Sequence, residues 1–237
     1  MSIKHWVSAA SLLLVPALLF GEVYPQAGLE TYMGPNGYLS FSPWAAVRVS
    51  TSPNSSVIFK VYRHLLNFDY VTDEGTTVTQ DAQLSNFTLV YYYQKGKLDF
   101  YAAGSYLTGP VRGLSYYGAA LDSGVEYKLW KFLTVTAGVY LLNENSVLWF
   151  PDQAQRNVLA YSLKSGLKIK LLAQLVFNPN VYILKNSDGV TALSYSAGLV
   201  YMPQDSVYIT VYYWRYGERS DYKFAGNYLS AGLNFYF

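Results

Sequence analysis

The chain has 237 residues, of which 51% are hydrophobic, 18% aromatic and only 14% charged. Its formal charge of +2 is too small to indicate a nucleic-acid partner. The lack of cysteine excludes a disulfide framework, and the 25 tyrosines suit boundaries between an apolar and a polar medium.

Residues 1–21 predict a secretory signal peptide. Lys4 and His5 give a basic start, an apolar run follows from Val7 to Phe20, and Gly21 is a small residue at a suitable cleavage position. A permanent membrane helix is the alternative, but about 14 apolar residues interrupted by Pro16 fall short of the roughly 20 that span a bilayer. Residues 22–237 then predict a single domain, since no linker interrupts them.

The rest of the chain consists of short alternating segments separated by turn residues, as is typical of antiparallel strands. Eleven segments are predicted at 37–50, 55–70, 83–94, 97–107, 116–129, 132–143, 157–170, 174–185, 190–202, 205–216 and 224–237, with a twelfth near 27–34. Tight turns near 52–54, 95–97, 129–131, 172–174 and 203–205 alternate with larger loops at 71–82, 108–115, 144–156, 186–189 and 217–223. This predicts an all-β fold, a transmembrane antiparallel up-and-down β-barrel of about 12 strands. The alternative is ten strands with the region before residue 55 folded inward as a plug.

One side of the alternating strands carries no charge and is predicted to face lipid. It includes Leu39, Phe41, Ala45, Val47, Val57, Phe59, Val61, Val125, Tyr127, Leu133, Val135, Ala137, Val139, Leu159, Tyr161, Leu163, Leu167, Ile169, Leu175, Phe177, Val181, Ile183, Leu193, Tyr195, Ala197, Leu199, Tyr201, Val207, Ile209, Val211 and Tyr213. A lipid-facing Lys or Arg at mid-depth would cost about 2–4 kcal/mol, which a bilayer would select against. Arg63 breaks the pattern and requires a bulge or a position at the rim.

The opposite side combines charged residues with tyrosines and is predicted to line the lumen. It includes Arg48, Lys60, His64, Asp99, Asp122, Glu126, Lys128, Lys164 and Lys168, with Tyr38, Tyr62, Tyr101, Tyr140, Tyr182, Tyr208, Tyr212, Tyr228 and Tyr236. So many charges in a dry core would be expensive, so this side is predicted to be wet or to form a paired network. Basic residues outnumber acidic ones, which favours anions or sugar acids in a water-filled pore. A lumen sealed by bulky tyrosines and ion pairs is the alternative, because about twelve strands leave a narrow bore.

The chain ends in SAGLNFYF, residues 230–237. Ser230, Gly232, Phe235 and Phe237 make this ending resemble the C-terminal signature of bacterial outer-membrane β-barrels. The resemblance implies a lipid-facing last strand, the outer membrane of a Gram-negative-type bacterium, and the barrel-assembly machinery as a partner that reads the signal.

Candidate chemical sites are sparse. His64 is the only histidine after the signal segment, so a Ser-His-acid hydrolase would need it as the base, although no serine is tied to it by a motif. Asp122 and Glu126 lie roughly 13 Å apart on one strand, too far for paired-carboxylate hydrolysis, and are expected to pair with Lys128 or Lys164. Asp73, Glu74 and Asp81 form either a calcium loop or, more simply, a solvated acidic loop. No cofactor is predicted.

The apolar stretch VLWFP at 147–151 lies in one of the larger loops. Two interpretations stay open: it folds into the barrel mouth or touches a partner, or it packs against its own rim. The function predicted overall is an outer-membrane channel for small polar or anionic solutes. The alternatives are a closed structural or adhesive barrel and, third, a hydrolase that uses His64.

Overall fold

The computed structural model describes residues 22–72, 74–111, 113–148, 156–217 and 225–237. The expected signal peptide, residues 1–21, lies outside these ranges. Within them, no helix is long and apolar enough to cross a membrane.

Twelve antiparallel strands form the described fold. They are β1 (Val23–Met33), β2 (Leu39–Ser52), β3 (Ser55–Val71), β4 (Thr77–Lys95), β5 (Leu98–Val111), β6 (Leu114–Trp130), β7 (Leu133–Asn145), β8 (Asn157–Leu172), β9 (Leu175–Asn186), β10 (Thr191–Gln204), β11 (Val207–Tyr216) and β12 (Gly226–Tyr236). Each strand pairs with its neighbours in sequence, and β1 pairs with β12 from Gln26 opposite Tyr236 to Met33 opposite Leu229. The sheet is a closed barrel, which leaves no unpaired edge at that seam.

The predicted 12-strand barrel is confirmed, and the ten-strand alternative with an N-terminal plug is wrong. Residues before 55 form β1 and β2, which are both part of the wall and pair along their full length, from Val23 opposite Val49 to Met33 opposite Leu39. The strand β1 is longer than the predicted segment at 27–34, because it begins four residues earlier. Pro25 is accommodated within it, and its carbonyl accepts a hydrogen bond from the Phe237 amide at 2.9 Å.

The two ends of the barrel differ in their connections. One end, called the turn end here, holds the five tight turns after β2, β4, β6, β8 and β10 and both ends of the strand series. The other, called the loop end, holds the six remaining connections. Two of the predicted loops were too long: β4 already begins at Thr77 within the predicted loop 71–82, and β5 and β6 extend through most of 108–115.

The side chains alternate between the lumen and the outer surface as predicted. In β12, Leu229, Leu233 and Phe235 are exposed on the outside, whereas Tyr228 and Ser230 are buried inside. The same alternation in every strand places the uncharged set on the outer surface.

Arg63 lies on the outer surface and not at a bulge. The β3–β4 pairing runs without a register shift through this position. The Arg63 guanidinium donates hydrogen bonds to Ser85 Oγ at 3.0 Å and Gln83 Oε1 at 2.7 Å. From Arg63 toward the loop end the outer face of this hairpin is mostly polar, with Asn67 donating to Asp81 at 2.6 Å. The bulge interpretation is therefore wrong for this residue, and the rim position stays a prediction.

Candidate functional site: the barrel lumen

A cluster of apolar side chains fills the lumen at the loop end. We call it the mouth cluster; its buried members are Tyr38, Leu66, Phe68, Tyr70, Ala82, Leu84, Val111, Tyr116, Val147, Leu148 and Tyr228. Tyr38 joins two other rings, with centroids 6.3 Å from Phe68 and 5.4 Å from Tyr228. Phe68 and Val111 are completely buried. A smaller cluster of Leu142, Ala160 and Leu184 covers the β7–β9 side. In this conformation packed apolar side chains occupy the loop end of the lumen.

The connection between β7 and β8 supplies part of this closure. A short 3-10 helix, Ser146–Leu148, turns inward, so that Val147 and Leu148 are 1% exposed and belong to the mouth cluster. Two hydrogen bonds with Arg156 fix its base: the Ser146 amide donates to the Arg156 carbonyl at 2.9 Å, and the Arg156 amide donates to Ser146 Oγ at 3.2 Å. The interpretation of VLWFP as a segment folded into the mouth is confirmed for Val147 and Leu148. Residues 149–151 lie outside the described ranges.

Two further contacts hold the same connection to its neighbours. Asn145 Nδ2 donates to the Ser115 carbonyl on β6 at 2.8 Å. The Arg156 guanidinium lies 3.1 Å from Asp188 Oδ2, which belongs to the connection between β9 and β10. The inward turn is therefore tied to both adjacent hairpins.

The rest of the lumen contains a cavity of about 950 Å³. Its lining reaches Ser52, Asn54 and Ser55 at the turn end and stops against Tyr116 and Leu148 of the mouth cluster. The walls carry charged and aromatic side chains from β1 through β7, with Lys168 from β8 and Tyr236 from β12. A second cavity of about 350 Å³ lies along β11 and β12, between Tyr208, Tyr212, Trp214 and Tyr236. The lumen thus has an open, polar half and a closed, apolar half.

On the β5–β8 wall, three lysines form close ion pairs. Lys128 Nζ lies 2.9 Å from Asp99 Oδ2, and Lys168 Nζ lies 2.6 Å from both Glu126 carboxylate oxygens. Lys164 pairs with Asp122. The expectation that Asp122 and Glu126 pair with Lys128 or Lys164 is therefore correct for Asp122 and wrong for Glu126, because Lys168 reaches Glu126 from two strands away.

The Lys164–Asp122 pair crosses the intervening strand β7 at a glycine. Lys164 pairs with Gly138 in the register of β7 and β8, and Gly138 pairs with Gly124 of β6. A Cβ at Gly138 would stand 2.6 Å from Lys164 Cε. Tyr101 adds a hydrogen bond from its hydroxyl to Asp122 Oδ1 at 3.2 Å, and its ring lies 4.9 Å from Lys164 Nζ.

On the β1–β3 wall, Lys60 is held differently. Its Nζ lies 3.6 Å from the Trp44 ring centroid and 4.2 Å from the Tyr62 ring centroid, while its nearest carboxylate oxygen, on Glu30, is 3.7 Å away. Two aromatic faces therefore share the cation with a distant carboxylate. Gly28 makes room for this arrangement, because a Cβ there would stand 2.6 Å from the Trp44 ring.

Two luminal acids, Glu30 and Glu144, are absent from the predicted lumen set. Glu30 lies in β1 an even number of residues from the buried Gln26, so it faces inward. Glu144 is buried at the mouth, where it accepts a hydrogen bond from the Tyr116 hydroxyl at 2.7 Å. With Glu30 counted, the described lumen around the large cavity holds five basic residues, namely Arg48, Lys60, Lys128, Lys164 and Lys168. They face four acidic ones, namely Glu30, Asp99, Asp122 and Glu126. The basic excess predicted from the sequence is thus reduced to one charge, carried by Arg48.

The remaining predicted lumen residues are distributed over both cavities and the mouth. Tyr101, Tyr140 and Tyr236 line the large cavity, Tyr208 and Tyr212 line the small one, and Tyr228 is buried in the mouth cluster. The Tyr182 ring centroid lies 5.9 Å from that of Trp214. The Trp214 ring contacts Tyr216, and Tyr216 contacts Tyr228, so ring contacts run along the β9–β12 wall. The β9–β12 wall thus carries a row of aromatic rings.

His64 contacts a serine that the sequence did not single out. Its Nδ1 lies 2.8 Å from Ser42 Oγ, and its ring stacks on Tyr62 at 5.3 Å. His64 lines the large cavity, but Ser42 is 1% exposed and does not. A substrate in the cavity would have no access to the Ser42 hydroxyl in this arrangement.

The proposed calcium loop is only partly described, because Asp73 lies outside the described ranges. Of its partners, Asp81 accepts a hydrogen bond from Asn67 on the outside of the β3–β4 hairpin. In the part of the chain that the structure describes, no group of three or more His, Asp or Glu side chains is arranged to hold a metal ion.

The C-terminal residues lie at the β11–β12–β1 seam. Trp214 Nε1 donates to Ser230 Oγ at 3.2 Å inside the barrel. Phe235 and Phe237 stack on the outside at 6.4 Å, and Phe237 is 72% exposed. Gly232 lies between Thr210 of β11 and Glu30 of β1, close to both. This placement agrees with a last strand whose aromatic residues face lipid.

Comparison with known proteins gives a match at the level of structure. No family model and no curated protein sequence matches the chain. The solved structures that resemble it are bacterial outer-membrane β-barrels, and that is the class to which this fold belongs.

Three of these structures illustrate the range. An outer membrane channel from Pseudomonas putida F1 superposes with a TM-score of 0.67 at 7% identity, over 92% of this chain and 96% of the channel. The KdgM porin in complex with disordered oligogalacturonate has a TM-score of 0.55 at 9% identity, and the match covers 90% of this chain and 99% of the porin. The translocator domain of the autotransporter NalP from Neisseria meningitidis has a TM-score of 0.54 at 12% identity, and the match covers 99% of this chain and 97% of the domain. Since these proteins serve different tasks, the likeness defines the fold and not the cargo.

Proposed function

We propose that this protein is an outer-membrane channel for the passive passage of small polar or anionic solutes. The observation that carries the proposal is the cavity of about 950 Å³ inside the barrel, which is lined by charged and tyrosine side chains and reaches the turn end. A structural barrel has no need of an open space lined by charged side chains such as Arg48, Lys60 and Lys168. The channel and porin among the structural neighbours agree with this role.

The orientation in the membrane follows from the connections. Short turns face the periplasm in barrels of this class, so the turn end is periplasmic and the loop end extracellular. The cavity then opens toward the periplasm, and the mouth cluster closes the channel on the cell surface. Passage requires the mouth cluster to separate. Val147 and Leu148 of the β7–β8 connection belong to this cluster without being part of a wall strand, as does Tyr38 of the β1–β2 connection.

The outer surface supports the membrane location. Large aromatic side chains are exposed near the loop end, including Tyr161 and Tyr195, and near the turn end, including Trp130, Phe132 and Phe235. We assign them to the two membrane interfaces, where aromatic rings with an apolar body and a polar neighbourhood are favoured. Export by the 1–21 signal peptide, contact with outer-membrane lipid and recognition of Ser230–Phe237 by the barrel-assembly machinery complete the proposal.

Planar-bilayer recording of the purified, correctly folded protein tests the channel. We expect discrete current steps in wild-type protein, with long closed intervals that reflect the packed mouth. A folded preparation that gives no steps above background, alone and after disruption of the mouth cluster, would contradict the channel function.

The closed mouth favours a second candidate, a structural or adhesive barrel. In that case the loops would capture a specific partner and no solute would pass. Hydrolysis is not part of the proposal, because Ser42 is buried behind His64. A lipase or protease activity that His64→Ala abolishes would contradict this exclusion.

A further inference from the structure

The β2–β3 wall of the large cavity carries a cation that no acid neutralises. Arg48 is exposed to the lumen and lines the cavity. Within the described ranges it has no carboxylate within 4 Å, and the nearby Glu22 carboxylate is engaged by the Tyr24 hydroxyl. In the register of β2 and β3, Arg48 lies opposite Ile58, between the inward positions Ser56 and Lys60. Its guanidinium can therefore act together with either residue.

Two buried hydrogen-bonding groups on the same wall also have no protein partner. Trp44 is 6% exposed and its Nε1 has no acceptor, while Ser56 is 2% exposed and its Oγ has no partner among the described residues. Both residues line the cavity. Buried polar groups are nearly always satisfied, so an unsatisfied indole N–H and hydroxyl beside a cavity indicate that a solute or water completes them.

The opposite wall offers no comparable group. Lys128, Lys164 and Lys168 each contact a carboxylate directly, so an incoming anion would have to displace that partner. Lys60 differs, since its carboxylate is 3.7 Å away and its charge is shared with two ring faces. Anion binding by Lys128, Lys164 and Lys168 is thus less favourable than binding beside Arg48.

We propose that Arg48, Lys60 and Trp44 form a binding subsite for the oxyanion of a small solute, either a carboxylate or a phosphate group. Arg48 supplies a forked, charged donor, Lys60 a second charge, and the Trp44 indole N–H a neutral donor. The proposal rests on the proposed function in one respect: it places this subsite on the path that solutes take.

Fluorine NMR tests the subsite without any membrane passage. The protein is labelled with 5-fluorotryptophan and purified in detergent, the Trp44 resonance is assigned with Trp44→Phe, and inorganic phosphate, galacturonate and neutral galactose are titrated separately. We expect phosphate or galacturonate, and not galactose, to shift the Trp44 resonance. Arg48→Gln should weaken this binding by about tenfold or more, because a charge-assisted contact is lost.

A matched control keeps the net charge unchanged on the other wall. In Glu126→Gln/Lys168→Gln, an ion pair is replaced by neutral side chains of similar size, and we expect the affinity to stay within about twofold of wild type. A response only to phosphate would identify the phosphate group as the ligand, and a response to galacturonate would identify the carboxylate.

The proposal is overturned if neither anion shifts the Trp44 resonance, if Arg48→Gln binds as tightly as wild type, or if the Glu126→Gln/Lys168→Gln variant loses affinity equally. Its failure is distinct from failure of the channel. Anion binding without current steps would support the subsite and contradict the channel. Current steps without anion binding would support the channel and contradict the subsite.

Discussion

The two halves of the lumen are built from the same twelve strands yet have opposite interiors. Toward the turn end, the inward positions carry lysines, acids and tyrosines around an open cavity. Toward the loop end, the inward positions of the same strands carry Leu66, Phe68 and Leu84, which are buried in the mouth cluster. On β3 the change from Lys60 to Phe68 occurs within eight residues.

This difference shows that alternation fixes which side chains point inward, while the environment inside varies along the axis. A uniformly polar lumen would conduct, and a uniformly apolar one would be a solid core. We call the polar half around the large cavity the vestibule and the mouth cluster the closure. A polar vestibule behind an apolar closure resembles a gated pore, because an apolar constriction excludes water and ions until it widens. The following predictions test whether the closure and the vestibule are separate parts.

The largest effect is expected from Val147→Ser/Leu148→Ser. Burial of each aliphatic side chain stabilises the packed state of the mouth cluster by about 1.5–3 kcal/mol. Removing both apolar groups from the mouth cluster should shift the balance toward open states by about tenfold or more. Planar-bilayer recording should show this as an increase in open time.

The control for this variant makes the same chemical change outside the cluster. Val71, at the end of β3, is 66% exposed. We expect Val71→Ser to conduct as wild type does. If Val147→Ser/Leu148→Ser leaves the current unchanged, the mouth cluster is not the closure.

On the outer surface, a charged substitution should lower the free energy of unfolding at every position that lipid covers, in both halves of the barrel. Val139 lies at the centre of β7 on the outer face, with Leu163 opposite it on β8. We expect Val139→Arg to lower the free energy of unfolding by about 2–4 kcal/mol in lipid vesicles, measured by denaturant titration. Val71→Arg, beyond the membrane, should change it little. Equal effects of the two substitutions would contradict the lipid assignment.

A smaller effect is expected where a ring of the vestibule lies against the wall. Gly28→Ala places a Cβ 2.6 Å from both the Trp44 ring and the Leu233 carbonyl oxygen. Because neither can move freely, we expect a loss of about 1–3 kcal/mol in unfolding free energy. Gly104→Ala is the matched control, since a Cβ there meets nothing within 4 Å. A Gly28→Ala variant as stable as Gly104→Ala would show that Trp44 is not packed as described.

Much of this architecture was predictable because its signals are local. The two-residue period decides the face of each side chain, so residues such as Leu163 and Lys164 could be assigned to opposite faces without any knowledge of pairing. The turns and the aromatic end of the chain predicted the direction of the strands and a number of either twelve or ten, and the pairing of β1 with β12 decides for twelve. The strand boundaries were accurate within a few residues wherever a tight turn marked them.

The closure and the exact ion pairs were not predictable because they depend on contacts between distant segments. The pairing of Lys168 with Glu126 spans two strands, and its register is not visible in either segment. The inward residues Phe68 and Leu84 interrupt the polar pattern beside the predicted loop 71–82, and a loop prediction does not imply a core. For Glu30 the signal existed, since it lies an even number of residues from Gln26 in β1.

The smallest effect concerns the Lys164–Asp122 pair of the vestibule. Asp122 is about one-third exposed, so water screens the pair and its contribution is modest. We expect Lys164→Met to lower the unfolding free energy by about 1 kcal/mol, since Asp122 keeps only the Tyr101 hydroxyl as a partner. Asp122→Asn in the same chain should recover part of this loss, which gives a coupling of about 1 kcal/mol in a double-mutant cycle measured by urea unfolding.

The control is Lys170→Met, an exposed lysine of the same strand, which should change stability by less than about 0.5 kcal/mol. If the two substitutions at Lys164 and Asp122 were simply additive, the charges of the vestibule would act independently, and the paired wall would be as available to anions as the wall around Arg48.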